Sequence, residues 1–397
     1  MRETRELRVC VVGAGTRFLS GMSYYTLHLI NALACHYRVS AILMRQLLPT
    51  RLYPGWKRVG KNLTRLQYDL RARVFDGVDW YWLPGMVRAL ALLLDERPDV
   101  VVFQWWSGTV LHSYLLLALV ARLLGARTII EFHEVLDPAE AKLPPAQAYV
   151  RLLAPLLLRL THGFVIHSQY DKKLLHSHYN LGQRPVAMIG HGPYNHYHCS
   201  GEQREAIAAS CCNLLFFGLI RPYKGLDDLI RAFDALPEDE IDGYWLTVVG
   251  ETWEGWNLPA TLIEGSRYRE RITFVNRYVS DEEVACFFGQ ADALVLPYHR
   301  ASASGPLHIG MSCGLPIVAT RVGGLCEAIA GYDGAILVEP EDLDALQDGL
   351  RQAREQRGKR YSDPHSWEQT VAGYHTLFDT LLKERNNRDG SKSYQRV

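Results

Sequence analysis

Two cations three residues apart, Arg221 and Lys224, stand in the stretch Phe216-Phe217-Gly218-Leu219-Ile220-Arg221-Pro222-Tyr223-Lys224-Gly225. A guanidinium, an ammonium and the free N–H groups of a helix start all stabilise anionic oxygens, so this spacing suits a diphosphate. The apolar run before the pair reads as a buried parallel strand. A Gly/Pro turn ends it, and the amphipathic segment Leu226 to Phe233 follows. The pair would then sit at the carboxyl end of a strand, where open α/β sheets bind ligands. A surface turn with solvated charges explains this segment equally well when it is taken alone.

A second loop of the same kind follows Leu296-Pro297-Tyr298. Ala301-Ser302-Ala303-Ser304-Gly305-Pro306 leads into a helical stretch through Leu307 to Cys313. Small residues and hydroxyls before a helix start suit an anion, and Pro306 fits the first turn, where its missing N–H is not needed. Gly314-Leu315-Pro316, the strand Ile317–Thr320 and Val322-Gly323-Gly324 with Glu327 come next. Several such loops at strand ends of one domain are more specific than any one of them.

The first half offers weaker signals. Val12-Gly13-Ala14-Gly15 begins a dinucleotide fingerprint that fails at Phe18. Gly21, in Ser20-Gly21-Met22-Ser23, would let backbone approach a ligand ahead of a helix. His133 ends the strand of Ile129-Ile130-Glu131-Phe132-His133-Glu134, where it can bond a sugar hydroxyl, titrate near neutral pH or serve structure alone. Strand alternation puts Glu131 on the same side as His133, with Glu134 and Asp137 nearby. A histidine and carboxylate metal set is one reading of these groups, though it lacks standard ligand spacing, and no metal is expected for the chemistry at the diphosphate. Asp342-Leu343-Asp344 reads as a helix N-terminus, where carboxylates are favoured.

The elements that must position these residues alternate strand and helix along 397 residues, as in layered α/β proteins with parallel sheets. Strands are expected at Val9–Val12, Arg38–Leu43, Val100–Gln104, Thr128–Phe132 and Phe164–His167. The pattern restarts at Asn213–Gly218 and runs on to Ala335–Val338. Two Rossmann-like domains follow, over residues 1–190 and 191–365. A terminal helix over 366–385 and a disordered tail over 386–397 complete the expected layout. Lys+Arg and Asp+Glu both number 43, so no global basic field points to nucleic acid. The eight scattered cysteines read as free thiols in a reducing cytoplasm. The charged start, Met1 to Arg8, runs straight into a strand and does not read as a signal peptide. Leu115 to Leu124 and Leu152 to Leu160 are too short to span a bilayer. From Arg45 to Arg73, basic residues alternate with Leu, Tyr53, Trp56 and Tyr68. That segment can dock on an anionic membrane or a phosphorylated acceptor, or be a solvated loop.

Taken together, these segments resemble glycosyltransferase family 4, the retaining nucleotide-sugar enzymes of the GT-B fold. The resemblance rests on Gly218 to Gly225, on Ala291-Asp292-Ala293-Leu294-Val295-Leu296-Pro297 and on Gly314-Leu315-Pro316-Ile317-Val318-Ala319-Thr320. Val322-Gly323-Gly324 with Glu327 and Ser366-Trp367-Glu368 extend it. The resemblance implies two Rossmann-like domains facing across a cleft, with the last helix crossing back to the first domain. It implies that Arg221 and Lys224 hold the donor diphosphate and that backbone around Asn276-Arg277-Tyr278 meets the nucleobase. Ser304, Gly305, Pro306 and Leu307 would form the phosphate loop, His133 would contact the transferred sugar and Gly21 would line the cleft. Two glutamates usual in the family are replaced by Ala301 and Ile309, which leaves the ribose contacts open.

The function expected is metal-independent, retaining transfer of a sugar from a nucleotide diphosphate sugar to an acceptor hydroxyl, with no cofactor. The acceptor is a glycan, a lipid-linked molecule or a small molecule. A silent nucleotide-sugar-binding partner protein and a nucleotide-sugar epimerase on the same fold are the alternatives.

Overall fold

The structure is a computed structural model and describes residues 6–16, 21–47, 49, 66–135, 143–197, 211–253 and 255–394, with side chains through 385. The chain divides into two compact units. One holds the described residues through Gly192 together with those from Trp367 onward, and the other those of Pro193–Ser366.

In the first unit β1 (Arg8–Ala14), α1 (Gly21–Ala34), β2 (Arg38–Gln46), β3 (Arg73–Asp79) and α2 (Gly85–Glu96) come first. β4 (Val100–Trp105), α3 (Leu111–Leu123), β5 (Arg127–Phe132), α4 (Pro144–Leu160), β6 (Gly163–Ile166), α5 (Gln169–His178) and β7 (Val186–Met188) follow. The sheet order is β3-β2-β1-β4-β5-β6-β7, and the pairings are parallel, with Val11 beside Ala41 and Val102. Strands covered by helices on both faces need apolar residues at every position, and β4 and β5 are buried throughout. Alternate residues serve opposite layers. Cys10 and Val12 pack with α2, α3 and α4, while Val9 and Val11 pack with α1 and the last helix.

The second unit runs β8 (Cys212–Phe217), α6 (Leu226–Asp234), β9 (Tyr244–Val249), α7 (Leu258–Gly265), β10 (Ile272–Val275) and α8 (Asp281–Gln290). It continues with β11 (Ala293–Leu296), α9 (Gly305–Ser312), β12 (Ile317–Thr320), α10 (Leu325–Ala328), β13 (Ala335–Val338) and α11 (Leu343–Glu355). Its parallel sheet has the order β10-β9-β8-β11-β12-β13. The strand order reverses between β8 and β11, which is the topological switch point where such sheets place ligands. The last helix, α12 (Trp367–Tyr394), adds Val371, Tyr374, Leu377, Phe378 and Leu381 to the first unit's core.

Three features differ from the sequence reading. β3 and β7 are strands that the pattern does not reveal, because Asp76 and Gly77 interrupt the first and the second is three residues long. α12 continues to Tyr394 where a disordered tail is expected from 386, because adding turns to a formed helix costs little even in polar sequence. Cys313 is disulfide-bonded, which corrects its reading as a free thiol: linear spacing does not report proximity in the fold.

Candidate active site

In the second unit, β8 hands the chain to Gly218, whose N–H donates to the Val249 carbonyl at 2.9 Å. Arg221 then caps a single 3-10 turn, Pro222–Lys224. Gly225 follows at φ +62°, and a Cβ there would strike the Pro297 carbonyl. This glycine lets the turn after β8 lie directly on the turn after β11. The His299 N–H, donating to the Tyr223 carbonyl at 2.8 Å, ties the two turns across the switch point.

The two cations stand in this corner. The Arg221 guanidinium lies 4.4 Å from the Trp253 ring centre, and its Nε is buried without a hydrogen-bond partner. Lys224 is only 9% exposed, with Nζ 5.2 Å from the Tyr298 ring centre. Burial, with a smaller push from Arg221, moves its pKa below the ordinary lysine value. Among the described residues, neither cation pairs with a carboxylate. Asp227 and Asp228 are taken by Arg231, and Asp228 also by His299 at 2.7 Å. Two uncompensated cations, one of them buried, are costly unless an anion joins them.

α9 starts beside them. A Cβ on Gly218 would lie 3.1 Å from Lys224 Nζ and 3.2 Å from Pro306 Cγ. Ser304 caps α9, its Oγ accepting from the Leu307 N–H at 3.3 Å and lying 3.4 Å from the Tyr298 hydroxyl. That hydroxyl of Ser304 is therefore partly committed to the helix, and the side chain of Leu307 is core. Asn276 Oδ1 accepts from both the N–H and the hydroxyl of Thr252 at 2.9 Å. Thr252 pairs in turn with Ile220, next to Arg221. The Arg277 guanidinium is held by Glu283 at 3.1 and 2.5 Å. Asn276 and Arg277 thus use their side chains on the protein itself. Ala301 and Ile309 are buried, and the Ala301 carbonyl accepts from the Gly324 N–H at 2.9 Å. The absent glutamates are replaced by packed apolar side chains.

In the first unit, Gly21 is the first residue of α1 and is exposed. His133 follows β5, its N–H donating to the Trp105 carbonyl at 2.9 Å. Glu131 is fully buried. Its Oε1 accepts from the Tyr25 hydroxyl at 2.5 Å and its Oε2 from Gln104 Nε2 at 3.1 Å. His133 Nε2 lies 3.5 Å from Oε2, and His167 Nε2 lies 3.6 Å from Oε1. Burial alone would raise the Glu131 carboxyl pKa. Its two histidines and Tyr25 outweigh burial and hold it at about 2. Burial, reinforced by His133, lowers His167 to about 4. His167 is the residue that sequence reasoning misses. Its one signal is that it ends β6, the neighbour of β5. The fold therefore assembles a group with metal-ligand chemistry that linear spacing conceals.

Other expectations resolve separately. Asp342 caps α11, its Oδ1 accepting from the Ala345 N–H at 2.9 Å. In the basic segment, Arg45 pairs with Asp79, Arg71 with Asp69, and Arg73 with Asp95 and Glu96. Ser20, Arg51, Tyr53, Trp56, Lys57, Arg58, Lys61, Arg65 and Asp137 lie outside the described residues. Among the described residues, no helix is long and apolar enough to cross a membrane.

Residues 20–192 match the family described as Glycosyl transferase 4-like domain, and residues 211–356 match Glycosyl transferases group 1. The chain is 28% identical over 178 residues to an O-antigen chain mannosyltransferase of Escherichia coli, covering 41% of this chain and 45% of that protein. It is 30% identical over 177 residues to an uncharacterized glycosyltransferase of Methanocaldococcus jannaschii, covering 42% and 48%. The chain thus spans about half the length of the curated relatives it matches. An Anabaena protein solved in complex with UDP shares the fold, with a TM-score of 0.60 at 14% identity over 97% of this chain and 100% of that one. The chain is a GT-B-fold protein related to the group 1 and 4-like glycosyl transferases, one of these domains matching each of its units.

Proposed function

We propose that this protein is a retaining glycosyltransferase that moves a hexosyl group from a nucleotide diphosphate sugar to an acceptor hydroxyl. The observation that carries this reading is the pair Arg221 and Lys224, two cations without a carboxylate partner at the switch point of the second unit. A mannosyltransferase among the relatives and UDP in a structural neighbour support the donor class. As the anomeric C–O bond to the diphosphate breaks, negative charge grows on the leaving oxygen. Arg221, Lys224 and the N–H groups at the start of α9 stabilise that charge, and fixed donors of this kind commonly supply the largest catalytic term. The acceptor oxygen bonds to the anomeric carbon on the same face, and its proton passes to a leaving-phosphate oxygen. His133 positions a hydroxyl of the transferred sugar. The cations do what a metal would do at the diphosphate, so no metal is assigned there. Gly21 and the backbone of Asn276 to Tyr278 complete donor binding in this reading.

Isothermal titration with nucleoside diphosphates and their sugars, followed by product analysis with the purified protein, tests it. Binding that is lost in Arg221→Ala, together with sugar transfer, is the expected result. The buried Ala301 and Ile309 favour one rival, a silent binder. That rival predicts binding with neither transfer nor donor hydrolysis. A cytoplasmic site of action is part of the proposal: six cysteines among the described residues are free thiols, and the disulfide at Cys313 is the observation against it. Contact with an anionic membrane through Arg51, Lys57, Arg58 and Lys61 remains part of the proposal. It predicts liposome binding that weakens at high salt.

A further inference from the structure

We infer that Glu131, His133 and His167 form a divalent-metal site in the first unit, matched best by Zn2+. The inference is independent of the Arg221 and Lys224 clamp, since it uses no residue of the second unit; it shares His133 with the sugar contact proposed above.

Two ring nitrogens are aimed at one carboxylate and bond nothing. His133 Nε2 and His167 Nε2 are both buried without a hydrogen-bond partner, on side chains 6% and 5% exposed. Their distances to Glu131, 3.5 and 3.6 Å, are long for hydrogen bonds. They match the spacing of ligands around a tetrahedral cation, about 3.4 Å for metal–ligand bonds of about 2.1 Å. The ligand atoms of all three residues lie within 4.8 Å of one another.

The tautomer of His167 sharpens the argument. Its Nδ1 lies 2.9 Å from the Ile189 carbonyl. A carbonyl only accepts, so Nδ1 carries a proton, and in the neutral ring Nε2 presents a lone pair to Glu131 Oε1. A lone pair facing a carboxylate oxygen across 3.6 Å repels it unless a cation stands between them. The supporting contacts are those of a metal site. The ligating histidine donates its second N–H to a carbonyl, and the ligating carboxylate is held by Tyr25 and Gln104, which fixes ring and carboxylate orientation. Two imidazoles and one carboxylate are a standard zinc set with a fourth position for water or another ligand. Asp227, Asp228 and His299 also approach one another, but there His299 already bonds Asp228 and Arg231 pairs with both carboxylates. With Nε2 on the metal, His133 keeps Nδ1–H to meet a hydroxyl.

The test uses the full-length protein, stripped with chelator and titrated with Zn2+. Elemental analysis and calorimetry should find one equivalent bound, with a rise in Tm. Glu131→Gln and His167→Gln should each weaken that binding at least tenfold, while His375→Ala, at an exposed position, leaves it unchanged. Zinc absorption fine structure on the unaltered protein covers variants that fail to fold, and should show two imidazoles and oxygen without sulfur. A folded protein that takes up no zinc at 100 times micromolar protein overturns the inference. So does zinc binding that survives both substitutions, or a sulfur ligand.

Discussion

At the scale of single residues, Lys224 shows how function and stability oppose each other. Its ammonium is buried with no carboxylate partner among the described residues, and burial lowers its pKa, so the fold disfavours the charged form relative to water. Lys224→Met keeps the length of the chain and removes the charge. The expected outcome is an unchanged or higher Tm together with loss of nucleoside diphosphate affinity. Arg221→Ala should cost about 1.5–3 kcal/mol of donor binding, as for hydrogen bonds to charged groups, read by calorimetry as a drop of roughly ten- to hundred-fold or more. Full affinity in both variants would remove the clamp. His133→Ala should lower turnover and leave the affinity for the free nucleoside diphosphate unchanged, because that ligand lacks the transferred sugar. This split marks an interaction used mainly in the transition state. The turn that carries Arg221 and Lys224 is legible in the sequence because its signals are local: an apolar strand, a Gly/Pro turn and a helix start within about ten residues. His167 is not legible in the same way. Its meeting with Glu131 depends on β5 and β6 lying side by side, which no short window contains.

At the scale of elements, the turn after β8 depends on Gly225. Its φ of +62° and the Pro297 carbonyl facing it leave no room for a side chain. Gly225→Ala should destabilise the protein by on the order of 1–3 kcal/mol, since backbone strain of this kind costs that much, and a Tm by circular dichroism reads it. Wild-type stability in that variant would show that the two turns are not held this tightly. The start of α12 carries a different dependence. The ring of His28, in α1, stacks on Trp367 with centres 5.7 Å apart, and burial holds its pKa at about 4 against an ordinary 6.5. The unfolded chain takes up a proton as the pH falls through 6.5, and the folded protein does so only near 4. The unfolded state binds more protons in that window, so stability falls with falling pH from 6.5 to 4. The Tm should therefore drop between pH 7 and pH 5, and His28→Phe should flatten that drop. The sequence shows α12 as a helix, but its docking partners are visible only once Tyr374 and Phe378 are found among residues of β1 and α1.

At the scale of the whole molecule, two parallel sheets each reverse their strand order once, and in the second unit the turns that carry Arg221, Lys224 and Ser304 follow the two strands, β8 and β11, that flank the reversal. A nucleoside diphosphate at a hundred times its dissociation constant should stabilise the protein by about 2.7 kcal/mol. That gain should persist in EDTA, because the diphosphate is met by cations of the protein. A diphosphate affinity that collapses in EDTA and returns with magnesium or manganese would count against the clamp. Loss of one zinc equivalent from the first unit under the same treatment would not, since the two sites share no residue. The sequence by itself determined the alternation of strand and helix and the turns that carry Arg221, Lys224 and Ser304. Each is written in periodicity and turn chemistry within a few residues. Only the tertiary structure decided that Arg221 and Lys224 have no carboxylate partner among the described residues, that Ala301 and Ile309 are core, and that Glu131 faces two histidines. Pairing, burial and charge compensation are set by which strands become neighbours, and that choice belongs to the packing of the whole sheet rather than to any segment of it.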